Sequence, residues 1–179
     1  MTEPTRIALR SWAAADLALQ HRLLGDPAMT EHIGGPETPE QIERRHERFV
    51  AMTDPNEGLM FAVVLVPTGT AVGSVGYWPR DGGGGQTWET GWFILPEFQG
   101  RGFATAATRL VVESAWATIS RPVHAYPNVD NAASNAVARK AGFRLLGSES
   151  FEYPRGHWMT CNDWVVEPPG WVSPALDPG

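Results

Sequence analysis

Hydrophobic and polar positions change period several times along the chain, and each change marks an element. Arg6-Ile7-Ala8-Leu9-Arg10 alternates with a period of two and predicts a half-buried strand. Residues 13–24 have the composition and spacing of a helix, which Asp26-Pro27 ends. After the loop Gly34-Gly35-Pro36, Thr38 stands as a helix cap, with Pro39 first in the helix and Gln41 three residues after the cap. That helix, 39–52, turns Ile42, Phe49 and the stem of Arg45 inward. Its run of Glu43, Arg44, Arg45, His46, Glu47 and Arg48 reads as a solvated face. Residues 60–66 are a continuous apolar run, and 71–78 form a further strand behind the turn Pro67-Thr68-Gly69-Thr70. Asp81-Gly82-Gly83-Gly84-Gly85-Gln86 predicts a flexible hairpin loop. No helix follows its glycines, so no phosphate site is expected there.

The stretch 88–118 organises the rest. Residues 88–95 alternate like a strand, and Pro96 forbids further donation to a ladder. Phe103, Ala107, Leu110, Val111, Ser114 and Thr118 then recur at three- and four-residue spacing, as one face of a helix. Strand passes to helix through Gln99-Gly100-Arg101-Gly102. A helix N-terminus offers unpaired N–H groups and positive partial charge. Gly100 and Gly102 remove the Cβ atoms that would hold an anion away from those groups. The glycines alone also suit an ordinary tight turn.

Residues 122–126 read as a short buried strand. Behind it, Asn131 is placed to cap a helix, Arg139 and Lys140 fall in its last turn, and Gly142 is its left-handed terminator. Residues 144–151 and 159–166 make a terminal hairpin, and a proline-rich segment follows.

Composition narrows the choice. Hydrophobic residues at 42% and eight tryptophans supply a real core, which argues against disorder. A net charge of -6 opposes a nucleic-acid partner and suits a cationic one. The one cysteine, Cys161, forms no internal disulfide and supports no metal cluster. No basic-then-apolar leader opens the chain, and no apolar run reaches membrane-spanning length. The economical reading is a cytoplasmic enzyme with no membrane contact.

The string Leu95-Pro96-Glu97-Phe98-Gln99-Gly100-Arg101-Gly102-Phe103-Ala104 resembles the acetyl-CoA signature of the GNAT superfamily of N-acetyltransferases. That signature is Arg/Gln-x-x-Gly-x-Gly/Ala, filled here by Gln99, Gly102 and Ala104. Downstream, Asn131, Ser134, Lys140, Gly142 and Phe143 resemble the Asn-x-x-Ser...Lys-x-Gly-Phe segment of the branch that acetylates ribosomal-protein N-termini. The resemblance implies an α/β (α+β) GNAT fold: a mixed, mostly antiparallel sheet, splayed at its centre, with helices on both faces. The seven strand segments read above would supply that sheet. One domain would span 1–167, with a proline-rich tail at 168–179 or an arm on a neighbouring subunit of a homodimer.

It further implies acetyl-CoA as cosubstrate, no metal, and direct transfer to a primary amine on a peptide or a small molecule. Glu89 matches the strand glutamate that serves as general base, with Trp88 and Trp92 as its apolar neighbours along the strand. Many family members place a tyrosine acid where this chain has Ala138, so Ser134 becomes the candidate donor to the thiolate and Tyr126 the reserve. Ile94 and Leu95 would pair with pantetheine, Gln99, Gly100, Arg101, Gly102, Phe103, Ala104 and Thr105 would hold pyrophosphate, and Asn131 would meet the pantetheine arm. Arg101, Arg139 or Lys140 would meet the ribose phosphate. His124 and His157 read as structural or exposed. A rival of another class is a non-catalytic acyl-CoA-binding module, favoured by Ala138 and opposed by Glu89 beside an intact loop.

Overall fold

A computed structural model describes residues 6–82 and 85–172. The expected strand segments become β1 (Arg6–Ser11), β2 (Leu59–Val66), β3 (Ala71–Gly82), β4 (Gly85–Ile94), β5 (Val123–Ala125), β6 (Arg144–Glu152) and β7 (Trp158–Val166). The helices are α1 (Leu17–Leu24), α2 (Pro27–Thr30), α3 (Pro39–Ala51), α4 (Phe103–Trp116) and α5 (Ala132–Ala141). The strands join in one seven-stranded sheet of order β1-β2-β3-β4-β5-β7-β6. Every pairing is antiparallel except β4 with β5. This is the expected mixed α/β sheet.

Alternation along β2 explains why helices lie on both faces. Val63 belongs to a core with Phe103, Ala107, Val111, Val112 and Ala115 of α4. Its neighbours Ala62 and Val64 point the other way, against Leu19, Leu23 and Leu24 of α1 and Ile42 of α3.

The reciprocal cap of α3 is present: Thr38 Oγ1 accepts from Gln41 N–H at 3.3 Å, and Gln41 Oε1 accepts from Thr38 N–H at 2.8 Å. Other expectations need correction. The helix expected from residue 13 starts at Leu17, behind a 3-10 turn over Ala14–Asp16. The Asp16 carboxylate holds that turn, accepting from Ala13 N–H at 2.9 Å and pairing with Arg10 at 2.6 Å. His46 is not on a solvated face: it is buried, and Trp12 Nε1–H donates to its Nδ1 at 3.1 Å. It lies four residues after Ile42, on the stripe that turns inward. On α4, Leu110 is exposed, while Thr108, Val112 and Ala115 complete the buried face. Thr108 tolerates burial because its hydroxyl donates to Ala104 O at 2.8 Å. The glycine hairpin is tighter than expected, since the ladder runs on through Asp81↔Gln86 to Gly82↔Gly85. Residues 83–84 and the tail residues 173–179 lie outside the described ones.

The feature that positions the site is a split in the sheet. β4 pairs with β5 only at Trp88↔Val123 and Glu89↔His124, yet β4 runs on to Ile94 beside β3. The chain leaving β5 keeps to β7, where Pro127 O accepts from Asn162 N–H at 2.9 Å and Val129 N–H donates to Thr160 O at 3.0 Å. Asn135 of α5 fixes this second half. Its Oδ1 accepts from Asn162 Nδ2 at 2.7 Å and Trp164 Nε1 at 2.9 Å, and its Nδ2 donates to Asn128 O and Asn131 O at 2.9 and 2.8 Å. Asn135→Ala would orphan the buried Trp164 indole and the Asn162 amide. Urea unfolding should show a loss of about 2–3 kcal/mol with the slope unchanged. A loss within 0.5 kcal/mol, as at ordinary surface sites, would remove Asn135 from that role.

Candidate active site

Two parallel strands lie side by side at the split, and a helix starts beyond the end of each. Such a crevice at the carboxyl ends of parallel strands is where open α/β sheets take ligands. Beyond β4, a 3-10 turn at Pro96–Phe98 leads to Gly100 and Gly102, whose φ angles are 73° and 78°. Both are left-handed, which favours glycine, and a Cβ on either would meet nothing within 4 Å. The space over the loop is open.

Gly102 is the N-cap of α4 and brings no side-chain acceptor. The first bond closing the helix is Ala106 N–H to Gly102 O at 3.0 Å. Among the described residues, the N–H groups of Phe103, Ala104 and Thr105 therefore find no acceptor. The contrast within the molecule is informative. Thr38 caps α3, and Asn131 caps α5 by accepting from Ser134 N–H at 3.0 Å, whereas the 14-residue α4 starts bare. A bare start with open space above it has the donors and the room that an anion needs.

The structure sorts the other expected contacts. Phe103's side chain is buried in the core, so only its amide faces the loop; Ala104 and Thr105 are half-buried beside it. Gln99 turns inward, donating to Ile94 O at 2.8 Å, and so braces the loop. Arg101 folds back on the 3-10 turn, donating to Glu97 O at 3.1 Å with its guanidinium over the Phe98 ring. Leu95 is committed inside the protein: its N–H donates to Val72 O and its O accepts from Phe98 N–H, both at 2.9 Å. Because Leu95 points its N–H at β3, alternation turns the main-chain groups of Ile94 and Trp92 toward the split. Trp92 is thus a main-chain position that the sequence reading passed over. Lys140 is exposed at the far end of α5, where its carbonyl accepts from Arg109 of α4. Ser134 sits half-buried in the first turn of α5. Ala138 is fully buried, so the core occupies the place of the family's tyrosine.

Glu89 lies on the opposite side of β4 from α4. Trp88 and Trp92 are not its neighbours in space, since successive residues of a strand face opposite ways and Trp88 packs against Tyr77 in the core. Its neighbours come from other strands. Trp78 and His124 are its register partners on β3 and β5. Arg80 Nε stands 3.7 Å from Glu89 Oε2. Burial pushes the Glu89 carboxyl up to about 7, against the pull of Arg80 and hydrogen bonding from Trp78.

The same face carries residues that spacing alone did not gather. His124 Nδ1 shares a 2.7 Å hydrogen bond with Asp163 Oδ1, and its ring stacks on Tyr126 at 5.8 Å. His124 is therefore held and oriented, while His157 is exposed as expected. Burial pushes the Tyr126 hydroxyl up to about 12, with Asp163 adding to the effect, so it stays a proton donor at neutral pH.

A family profile, acetyltransferase (GNAT) domain, matches residues 6–144. The chain belongs to the GNAT acetyltransferases. No curated protein matches it, but solved structures share its fold. A GNAT-family acetyltransferase from Bacillus anthracis is 21% identical with a TM-score of 0.74, over 90% of this chain and 95% of that one. Ribosomal-protein-S5-alanine acetyltransferase from Vibrio fischeri is 18% identical with a TM-score of 0.72, over 96% and 97%. Spermidine N-acetyltransferase from Vibrio cholerae, solved with CoA and spermine, is 18% identical with a TM-score of 0.72, over 89% and 94%. The bare start of α4 and the Glu89 carboxyl lie on the two sides of one split.

The raised Glu89 carboxyl also marks stability. The folded state holds this proton more tightly than the unfolded chain, so stability falls as pH rises from about 4.5 through about 7. Glu89→Gln, neutral throughout, should melt higher than the parent at pH 8 and level with it near pH 4. An equal gap at both pH values would contradict the shift.

Proposed function

We propose that the protein transfers the acetyl group of acetyl-CoA directly to a primary amine in a ternary complex, with Glu89 as general base. The supporting observation is the pairing of a bare, open helix start with a carboxyl that titrates near neutrality, one on each side of the split. The amides of Phe103, Ala104 and Thr105, with the backbone of Gly100, Arg101 and Gly102, would hold the pyrophosphate. The main-chain groups of Ile94 and Trp92 would pair with the pantetheine amides as a strand does, and the half-buried Asn131 would meet the pantetheine arm.

An ammonium acceptor must first lose a proton, and the Glu89 carboxylate takes it, directly or through water. The amine nitrogen then forms its bond to the thioester carbon, the oxyanion collapses, and the C–S bond breaks. The nitrogen's second proton ends on the departing thiolate, relayed through the donor hydroxyl, and the first leaves Glu89 for solvent. Ser134 is the proposed donor. Tyr126 is favoured as the alternative by its place beside Glu89, which contributes to its shift. A thiolate needs modest help to leave, so the donor contributes less than the base.

For the acceptor we favour a cationic primary amine, on a peptide N-terminus or a small molecule. Glu89, Glu149 and Asp163 share the open face with Arg80 as the balancing cation. Structural relatives act on both kinds of amine by name, a ribosomal-protein alanine and spermidine. The single buried Cys161 and the requirement for acetyl-CoA fit a cytoplasmic setting.

The experiment is a steady-state comparison on a panel of amines. Glu89→Gln should bind acetyl-CoA normally yet lose roughly a hundredfold or more in turnover, with recovery at high pH. Ser134→Ala should lose roughly tenfold to a hundredfold with affinity unchanged. If both variants keep parental turnover, the acid–base assignment is wrong. If no amine is acetylated while acetyl-CoA binds, the protein is an acyl-CoA-binding module.

A further inference from the structure

Acetyl transfer as proposed makes no use of Arg80, yet the open face converges on this side chain. β3 carries Arg80 on the same face as Trp78, the register partner of Glu89. The guanidinium carbon lies 3.8 Å from the centroid of the Tyr126 ring and 4.6 Å from that of Phe151. Two aromatic faces, from the residue that follows β5 and from β6, thus grip it, which fixes both its plane and its height over the sheet. Its Nε faces Glu89 at 3.7 Å, its Nη2 faces Glu149 at 3.4 Å, and its Nη1 is buried without an acceptor. A guanidinium optimised only for stability would use its donors more fully. This one is held by ring packing, with its charge between two carboxylates.

We propose that Arg80 is a positioning residue: pinned by Tyr126 and Phe151, it fixes the Glu89 carboxylate and sets the pH at which that carboxylate becomes a base. The inference rests on the reading of Glu89 as the base. Among the described residues, the charged and titratable groups facing Glu89 are Arg80 from β3, His124 from β5 and Tyr126 just after it, Asp163 and Cys161 from β7, and Glu149 from β6. Asp163 is engaged by His124. Tyr126 and Cys161 are held protonated, pushed up to about 12 and about 11 by burial. Arg80 and Glu149 are thus the charges that oppose each other at Glu89: Arg80 draws the carboxyl down, and Glu149 adds to its rise. The two residues should therefore have effects of opposite sign, a pattern that mere scaffolding would not produce.

The test titrates the Glu89 carboxyl directly, by carbon-13 NMR of glutamate-labelled protein with the signal assigned from Glu89→Gln. It is run beside the pH dependence of kcat/KM in the parent, Arg80→Met, Arg80→Lys and Glu149→Gln. Arg80→Met should raise the midpoint by roughly one unit, lowering kcat/KM at pH 7 by about fivefold with recovery by pH 9. Arg80→Lys should fall between Met and the parent, and Glu149→Gln should shift the midpoint down. Affinity for acetyl-CoA should stay within about twofold throughout. An unmoved midpoint in Arg80→Met overturns the inference, as does a midpoint shifted the same way by Arg80→Met and Glu149→Gln. Should Arg80→Met fail to fold, unmoved midpoints in Arg80→Lys and Glu149→Gln overturn it instead. A midpoint that moves as expected while the kcat/KM limb stays put upholds Arg80's hold on Glu89, and it is the role of Glu89 as base that fails.

Discussion

The structure depends on a parallel pairing that lasts only two residues. β4 is bound to β3 along its whole length, and the chain leaving β5 is bound to β7, so beyond Glu89↔His124 the two halves of the sheet part. Backbone groups left at such a gap need partners. Gln99 supplies one for Ile94 O, and the remaining groups of Ile94 and Trp92 face the opening. A ligand with amides of its own can complete the sheet there, as an added strand would. The sheet is thus held together firmly on both flanks so that its centre can stay open, with Asn135 as the bracket on one side.

The split also divides the chemistry between the faces. On one side α4 begins without a cap, its amides unsatisfied beneath two left-handed glycines. On the other, the environment of Glu89, Arg80, Tyr126 and the His124–Asp163 pair is made by aromatic rings and by each other. Charge is handled oppositely at the two places. The loop presents exposed dipoles that suit an anion, whereas burial around Glu89 holds a carboxyl at the edge of ionisation.

What could be read from the sequence was whatever depends on local order. The cap at Thr38 and Gln41, the loop with Gly100 and Gly102, and the cap and terminator at Asn131 and Gly142 each lie within a few residues, and each was found in place. Alternation at 6–10 and 88–95, and the apolar run at 60–66, marked strands that the sheet contains. What failed was adjacency across strands. Trp88 and Trp92 flank Glu89 in the chain but face away from it, while Trp78, Arg80, Tyr126 and Asp163 reach the site only through register. The inward turn of His46 was legible from its spacing to Ile42, and its charged neighbours masked it. Leu95 shows the limit for main-chain roles, because its amide and carbonyl were committed by pairings that no spacing reveals.

Acetyl-CoA should complete the split, with its pyrophosphate on the bare start of α4. Hydrogen exchange of individual backbone amides, followed by NMR with and without acetyl-CoA, tests it most directly. Protection should rise at Gly100, Arg101, Gly102, Phe103, Ala104 and Thr105 and at Ile94 and Trp92, and the already bonded amides of Leu95 and Ser134 should change little. Protection confined to α1 and α3, with the loop amides exchanging as before, would contradict the account.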